Sequence, residues 1–497
     1  MDDRGPEASR RPVATAVVAA FVLVLALLWG FAALYELPVP YVHDEFAYLL
    51  TADTFAEGRL ANPPHPFWEH FDTFHVLQSP TYQGKYPPAQ GFFLALGQVV
   101  CGHPGAGVWL SLALASAATC WMLAAAVPRR WALVATLAFV LRYPVFHQWG
   151  QRYWGGAVAM LGGALLFGAL LRWVRRPSAR QAVVAGIGLF VLANARPFEG
   201  GLMALVAAVY ALVVRRRERA AEERATPLAW APLAAACVLI AAWTLYYDWR
   251  LTGDALCMPR FHWDPQASPH ADIRAYRGSD EWSFLGKAWK LFAFYVGTTL
   301  APFLILGLPR LRRPQVALAV AGPAVAGLAC ALFTRSWPHY MAPAAGLVVL
   351  LVAEGLHAVR GLRLGRLVLT VLLVAHFGLA GARHVELVLR GPPRDWAHDR
   401  RDIDALTYRV PDPGAPERSV SLGELGERHL VFVGYGPRRD IHIGWIWNRA
   451  DVDAAAVVWA RDLGPERNAR LRRAMPGRLC WRLRNPSGER ELVPLRR

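Results

Sequence analysis

Two adjacent carboxylates, Asp44 and Glu45, stand in the segment PVPYVHDEFAYLLTADTFAEGRL (38–60), just past a long apolar run. A carboxylate placed there could act as a general base, taking the proton of a hydroxyl as that hydroxyl attacks. The plainer reading is structural: Asp44 caps a helix that begins there and Glu45 favours its positive end. Further along the same stretch, Lys85 precedes Tyr86, Pro87 and Pro88 in KYPPAQG. The prolines fix the backbone as the chain enters the next apolar element. The lysine could meet a phosphate as a point charge, or snorkel to lipid head groups. His43, His65, His70 and His75 lie in the same stretch with Glu69 and Asp72. Histidines spaced by five do not share a helix face, and the pattern matches no metal signature, so no metal ligand is assigned.

Three arginines lie in or beside short loops between apolar runs: Arg152 in QRYWGG, Arg196 in NARPFEGG and Arg335 in TRSWPHY. Charges so close to a bilayer are costly and often mark a functional path. Converging arginines would neutralise a phosphate and stabilise its departure. Alternatively they anchor loops by pairing with Glu199 or with lipid phosphates. Tyr153, Trp154, Trp337 and Tyr340 could stack on a sugar, although aromatics at membrane interfaces are also ordinary anchors. His43, Tyr48, Tyr86 and His339 complete the candidate substrate contacts.

The elements that hold these residues are membrane helices. The chain has 497 residues, 55% hydrophobic and 18% charged, against ~25% charged in a typical soluble domain. Its apolar residues gather into runs of ~20, the length that crosses a bilayer core, where each segment must satisfy its own backbone as a helix. We expect an α-helical integral membrane protein of about eleven spans. The first covers 13–35, after a short N-terminus (1–12), and is read as retained rather than as a cleaved leader. Others are expected at 106–127, 131–147, 154–174, 181–195, 197–214, 229–247, 286–308, 314–334, 338–358 and 366–384. A short apolar segment, 89–101, should lie at or dip into the interface. Phe46, Leu49, Leu50 and Leu60 mark the apolar stripe of a helix lying along it.

The formal charge is +17, supplied almost wholly by arginine; Lys85, Lys287 and Lys290 are the only lysines. Such a bias suggests a GC-rich, hence bacterial, genome. The basic residues cluster between apolar runs, which speaks for topology and against nucleic acid. Loops rich in arginine (128–130, 172–180, 215–224, 309–313, 359–366) alternate with loops rich in aromatics. The positive-inside rule puts the first set and the N-terminus in the cytoplasm. The loops at 38–88 and 248–285 and the tail at 385–497 are then outside the inner membrane. The tail reads as a small α/β unit, with strands at 429–435, 456–460 and 479–483 and a helix at 465–474. None of the six cysteines forms a C-x-x-C pair.

HDEFAYL after the first span, a long loop ending in KYPPAQG, a many-span body (13–384) and an outer tail together resemble the GT-C superfamily of membrane glycosyltransferases. The nearest groups are the protein O-mannosyltransferases, the lipid A aminoarabinose transferases and bacterial proteins with an RgtA/B/C/D-like domain. Stretches like DEFxYLLxADTFAxGRL, KYPPAQG and YWGGA recur in the last. The resemblance implies transfer of a sugar from a polyprenyl-phosphate donor to an extracytoplasmic acceptor. It implies a base at Asp44, with Glu45 the neighbouring candidate, and a donor-phosphate lysine at Lys85. The chain departs from the aminoarabinose transferases in having Gly84 where an acidic residue precedes that lysine, and in Tyr86, which separates lysine from proline. The sugar and the acceptor therefore do not carry over. No cofactor is required by this reading; a divalent metal could assist. The rival reading is a transporter of lipid-linked sugars or an envelope scaffold. A transporter should carry charges or broken helices near the bilayer midplane, and the polar groups cluster instead at one face.

Overall fold

A computed structural model describes residues 6–218, 227–274, 283–333, 337–361, 363–392, 395–412, 415–435, 443–484, 486–488 and 490–495. Among these residues, eight helices are long and apolar enough to cross a membrane, or nine if one bent pair is a single span. Two of them form the centre of the bundle: the helices at Gly156–Trp173 and Ala342–Val359 are 89% buried along their apolar windows. The rim helices are apolar yet open. Val238 and Leu239 on the Trp230–Thr252 helix are 68% and 64% exposed, which only a lipid surround tolerates at this density. Close approach at the centre uses glycine: a Cβ on Gly355 would collide with the Phe303 carbonyl.

Two expected spans are broken, and Arg142 connects the two breaks. The 131–147 segment divides into the helices Arg129–Val140 and Tyr143–Gly150, and the 286–308 segment bends by 88° between Tyr295 and Gly297. Arg142 sits at the first break. Its guanidinium donates to the carbonyls of Phe294 and Ala293, at 2.7 and 2.8 Å, closing the C-terminal end of the helix Phe284–Tyr295. Gly297 follows with φ of +58°, and a Cβ there would collide with that same guanidinium. A hydropathy scan cannot anticipate a break made by a residue so distant in sequence. At the arginine-rich end of the bundle, buried Glu354 draws in Arg310 and Arg313 at 2.8 and 3.4 Å.

The last helix, Gly365–Arg390, runs past its expected end at 384. Pairs of Glu386 with Arg383 and Arg390 support the added turns. The tail then forms a four-stranded sheet ordered Val457–Arg461, His429–Val433, Leu479–Arg484, Glu491–Pro494. The first three strands are parallel and the last is antiparallel. The expected strands and the helix Pro465–Ala474 are present; a hairpin of Arg409–Asp412 with Ala415–Ser421 was not anticipated.

The sheet does not stand apart from the first loop. Leu430, Phe432, Val458 and Ala460 share one apolar cluster with Ala47, Leu50, Phe71 and Tyr82. Asp53 receives Arg449 at 3.0 Å and the Ala450 N–H at 2.8 Å, and Arg461 donates to the Asp72 carbonyl at 2.8 Å. The first loop is thus held between the bundle and the tail.

Candidate active site

The helix His43–Ala56 opens the first loop and carries both carboxylates in its first turn. They are used differently. Glu45 is fully buried; its Oε2 accepts from the N–H groups of Tyr41 and Val42 at 2.8 and 3.3 Å. Its Oε1 accepts from the Tyr153 N–H at 2.9 Å, and Arg152 Nη1 lies 3.8 Å from Oε2. Glu45, rather than Asp44, therefore satisfies the backbone at this helix start. Burial raises the Glu45 pKa, with Arg152 and those N–H groups opposing it.

Asp44 points the other way, and 39% of its side chain is exposed. The Tyr86 hydroxyl donates to its Oδ1. His43 Nδ1 is 3.2 Å from Oδ2, and His75 Nε2 is 3.8 Å from Oδ1. Burial opposes ionisation here, but the rings of His75 and His43 and the Tyr86 hydroxyl outweigh it. They hold the carboxyl well below the usual range, so Asp44 is ionised.

Tyrosines and cations surround this carboxylate. Tyr48, one turn further along the helix, stacks on Tyr86 with centroids 4.7 Å apart. Burial, with Asp44 nearby, pushes the Tyr48 phenol up to about 12, so it remains a neutral donor; Arg196 and Arg260 act on it in the opposite sense. Arg196 follows the helix Ala179–Ala195, is buried, and lies 4.9 Å from the Tyr340 ring. Its Nε has no hydrogen-bond partner among the described residues. Lys85 Nζ rests 3.7 Å from the Trp263 ring centroid, and the Lys85 backbone N–H donates to the His75 carbonyl at 3.0 Å. Trp154 forms the adjoining wall with Trp337 at 5.5 Å and His339 at 4.9 Å. Burial keeps His339 uncharged, with Arg196 and Lys290 adding to the effect and Asp44 opposing it.

The candidate residues thus divide. Asp44, His43, Tyr48, Tyr86 and Lys85 form one cluster of contacts, and Arg196, His339 and Trp154 form another around Tyr340. Glu45, Arg152 and Tyr153 form a support: Arg152 covers the Tyr41 ring at 4.1 Å, and the Tyr153 hydroxyl donates to the Pro38 carbonyl at 2.7 Å. Arg335 lies outside the described residues. The reading of the sequence missed Arg260 and Trp263, both brought in by the loop at 248–285. Nothing local in CMPRFHW marks them; only folding of that loop over the first one does.

A cavity of about 270 Å³ adjoins the site, lined by Arg260, Tyr340, Glu199 and the apolar Phe198, Leu202 and Phe261. A larger one, about 460 Å³, lies among Leu291, Leu304, Val320 and Leu351, with Tyr295 its one polar side chain. The smaller cavity joins an apolar wall to one cation, Arg260, and one phenol, Tyr340.

The fold made by the helical body, the long first loop and the C-terminal sheet is shared with solved structures of known proteins. Two solved structures of ArnT from Cupriavidus metallidurans are similar to the chain. The apo form aligns over 95% of this chain and 93% of that one, at 15% identity and a TM-score of 0.55. The form bound to undecaprenyl phosphate aligns over 94% and 93%, at 16% identity and a TM-score of 0.56. A weaker likeness, 12% identity and a TM-score of 0.46, links 84% of the chain to 62% of the archaeal oligosaccharyltransferase AglB from Archaeoglobus fulgidus. No protein-family model matches the chain, and no curated protein matches it by sequence.

Proposed function

We propose that the protein is a bacterial inner-membrane glycosyltransferase that moves a sugar from a polyprenyl-phosphate donor to an extracytoplasmic hydroxyl acceptor, with inversion. The arginine-rich end of the bundle then faces the cytoplasm, and the first loop and tail face outward. The observation that carries the reading is an ionised, half-open carboxylate, Asp44, in a cluster with the buried cations Lys85 and Arg196, next to an apolar-walled cavity that Tyr340 lines. A solved structure of this fold that holds undecaprenyl phosphate is consistent with a lipid-phosphate ligand.

In this mechanism the acceptor oxygen attacks the anomeric carbon as the bond from that carbon to the phosphate oxygen breaks. Asp44 takes the acceptor proton. A carboxylate held so acidic is a weak base, so the proton moves late, once bond formation has made the acceptor oxygen strongly acidic. Polyprenyl phosphate leaves with its negative charge met by Lys85, Arg196 and Arg260 and by the neutral phenols of Tyr48 and Tyr340. Trp154 and His339 bound the space for the sugar. Single displacement inverts the anomeric centre.

The test follows release of polyprenyl phosphate by the purified protein, offered a panel of polyprenyl-phosphate sugars and acceptors. Asp44→Asn should bind the lipid and not turn over. A wild-type protein that binds these lipids and consumes none would favour the transporter or scaffold reading. An active Asp44→Asn variant would remove Asp44 as the base.

A further inference from the structure

We propose that His43, Asp44 and His75 form a binding site for a divalent transition-metal ion of the zinc class. Each side chain offers one ligand atom, and these atoms lie within 4.8 Å of one another. Donors bound at about 2.0–2.2 Å to one tetrahedral ion sit roughly 3.3–3.6 Å apart. The observed 3.2 Å from His43 Nδ1 to Asp44 Oδ2, and 3.8 Å from His75 Nε2 to Asp44 Oδ1, bracket that spacing. Two imidazoles and one carboxylate suit zinc, and suit magnesium or calcium poorly, since those prefer oxygen.

The fold builds this arrangement from two separate places. His43 and Asp44 are consecutive at the start of their helix. His75 comes from the far part of the loop, and its φ of +64° is uncommon for a residue with a side chain. That turn brings its ring within 4.5 Å of the His43 ring, centroid to centroid. Both imidazoles are buried, at 4% and 2% exposure, so they are positioned before any ion arrives. The structure also separates His75 from the histidines that sequence spacing groups with it. His65 faces Asp453, and His70 Nδ1 lies 2.9 Å from the Arg461 carbonyl oxygen. Three protein ligands leave one position open to water.

An ion on Asp44 competes with the proton that the transfer reaction delivers there, so zinc should inhibit. This consequence rests on the reading of Asp44 as base; binding itself does not. The test uses the full chain in detergent, stripped with EDTA and titrated calorimetrically with zinc. X-ray absorption of the one-to-one complex reads the ligands without any substitution. We expect one equivalent bound, two imidazoles in the coordination shell, and a loss above about 100-fold in affinity for His75→Ala, the range by which even outer ligands change affinity. His65→Ala should bind as wild type. No binding, or a shell without two imidazoles, overturns the site. Tight zinc binding by a protein that still transfers sugar keeps the site and overturns Asp44 as proton acceptor, so the two failures are distinguishable.

Discussion

Asp44 and Glu45 are neighbours in sequence and opposites in use. Glu45 is sealed against the bundle by three N–H groups and Arg152, and every one of those contacts holds backbone or support in place. Asp44, one residue earlier, is left open and is met by side chains: Tyr86, His43 and His75. A helix turns by ~100° per residue, so adjacent residues face different surroundings. A carboxylate satisfied by backbone is spent on stability, whereas one met by side chains and solvent can exchange a proton. The cations divide in the same way: Arg152 lies with Glu45 in the support, and Arg196 lies buried against Tyr340.

The sharpest way to break this comparison is to neutralise each carboxylate in turn. Asp44→Asn should lower turnover by about 10²–10⁴-fold, the range of general-base catalysis, with an unchanged melting temperature. Glu45→Gln should do the reverse, costing about 1–3 kcal/mol of stability by leaving its donors and Arg152 poorly matched, with turnover per folded molecule retained. If Glu45→Gln abolishes turnover in well-folded protein, the division of labour is wrong. The next effect concerns the cations. Arg196→Ala should raise the donor KM by about 10- to 100-fold, as expected for losing charged hydrogen bonds, while Arg152→Ala should lower the melting temperature and leave donor KM near wild type. Steady-state kinetics with donor varied would show it.

The smallest expected effect lies where the tail meets the first span. His398 Nε2 is 3.1 Å from Glu36 and its Nδ1 is 2.9 Å from Asp395, with Arg401 also on Glu36 at 3.2 Å and the Tyr41 ring nearby. The hydrogen bond to Asp395, then that to Glu36, raises the His398 pKa from 6.5 to about 9. Folding favours the charged ring, so its stabilisation is complete below about pH 6.5 and is lost as pH rises through about 9. Melting temperatures measured across that window should fall more for wild type than for His398→Gln. Equal slopes would remove His398 as the titrating clamp.

The sequence was most informative where structure is local. Apolar runs disclosed the membrane helices, because a bilayer imposes length and composition on each segment separately. Alternating valines and aromatics disclosed the tail strands for a similar reason. The site was legible in part: Asp44, Lys85 and Arg196 stand out as charges at the edges of apolar runs. Their neighbours were not. Tyr86 looked like an interruption of a lysine-proline step, yet its hydroxyl reaches Asp44. Arg260 and Trp263 carry no motif, and Arg142 bends a helix to which it does not belong.

From its sequence alone, then, this protein is a multi-pass membrane chain with an acidic pair at the edge of its first span and a sheet-forming tail. Hydropathy and strand alternation are properties of short stretches, and short stretches are what a sequence displays. Which carboxylate is sealed by backbone and which is left half-open, which arginine supports the first loop, and how two distant histidines come to share Asp44 were decided only by tertiary structure. Those facts depend on the facing of each helix turn and on loops packed from remote parts of the chain.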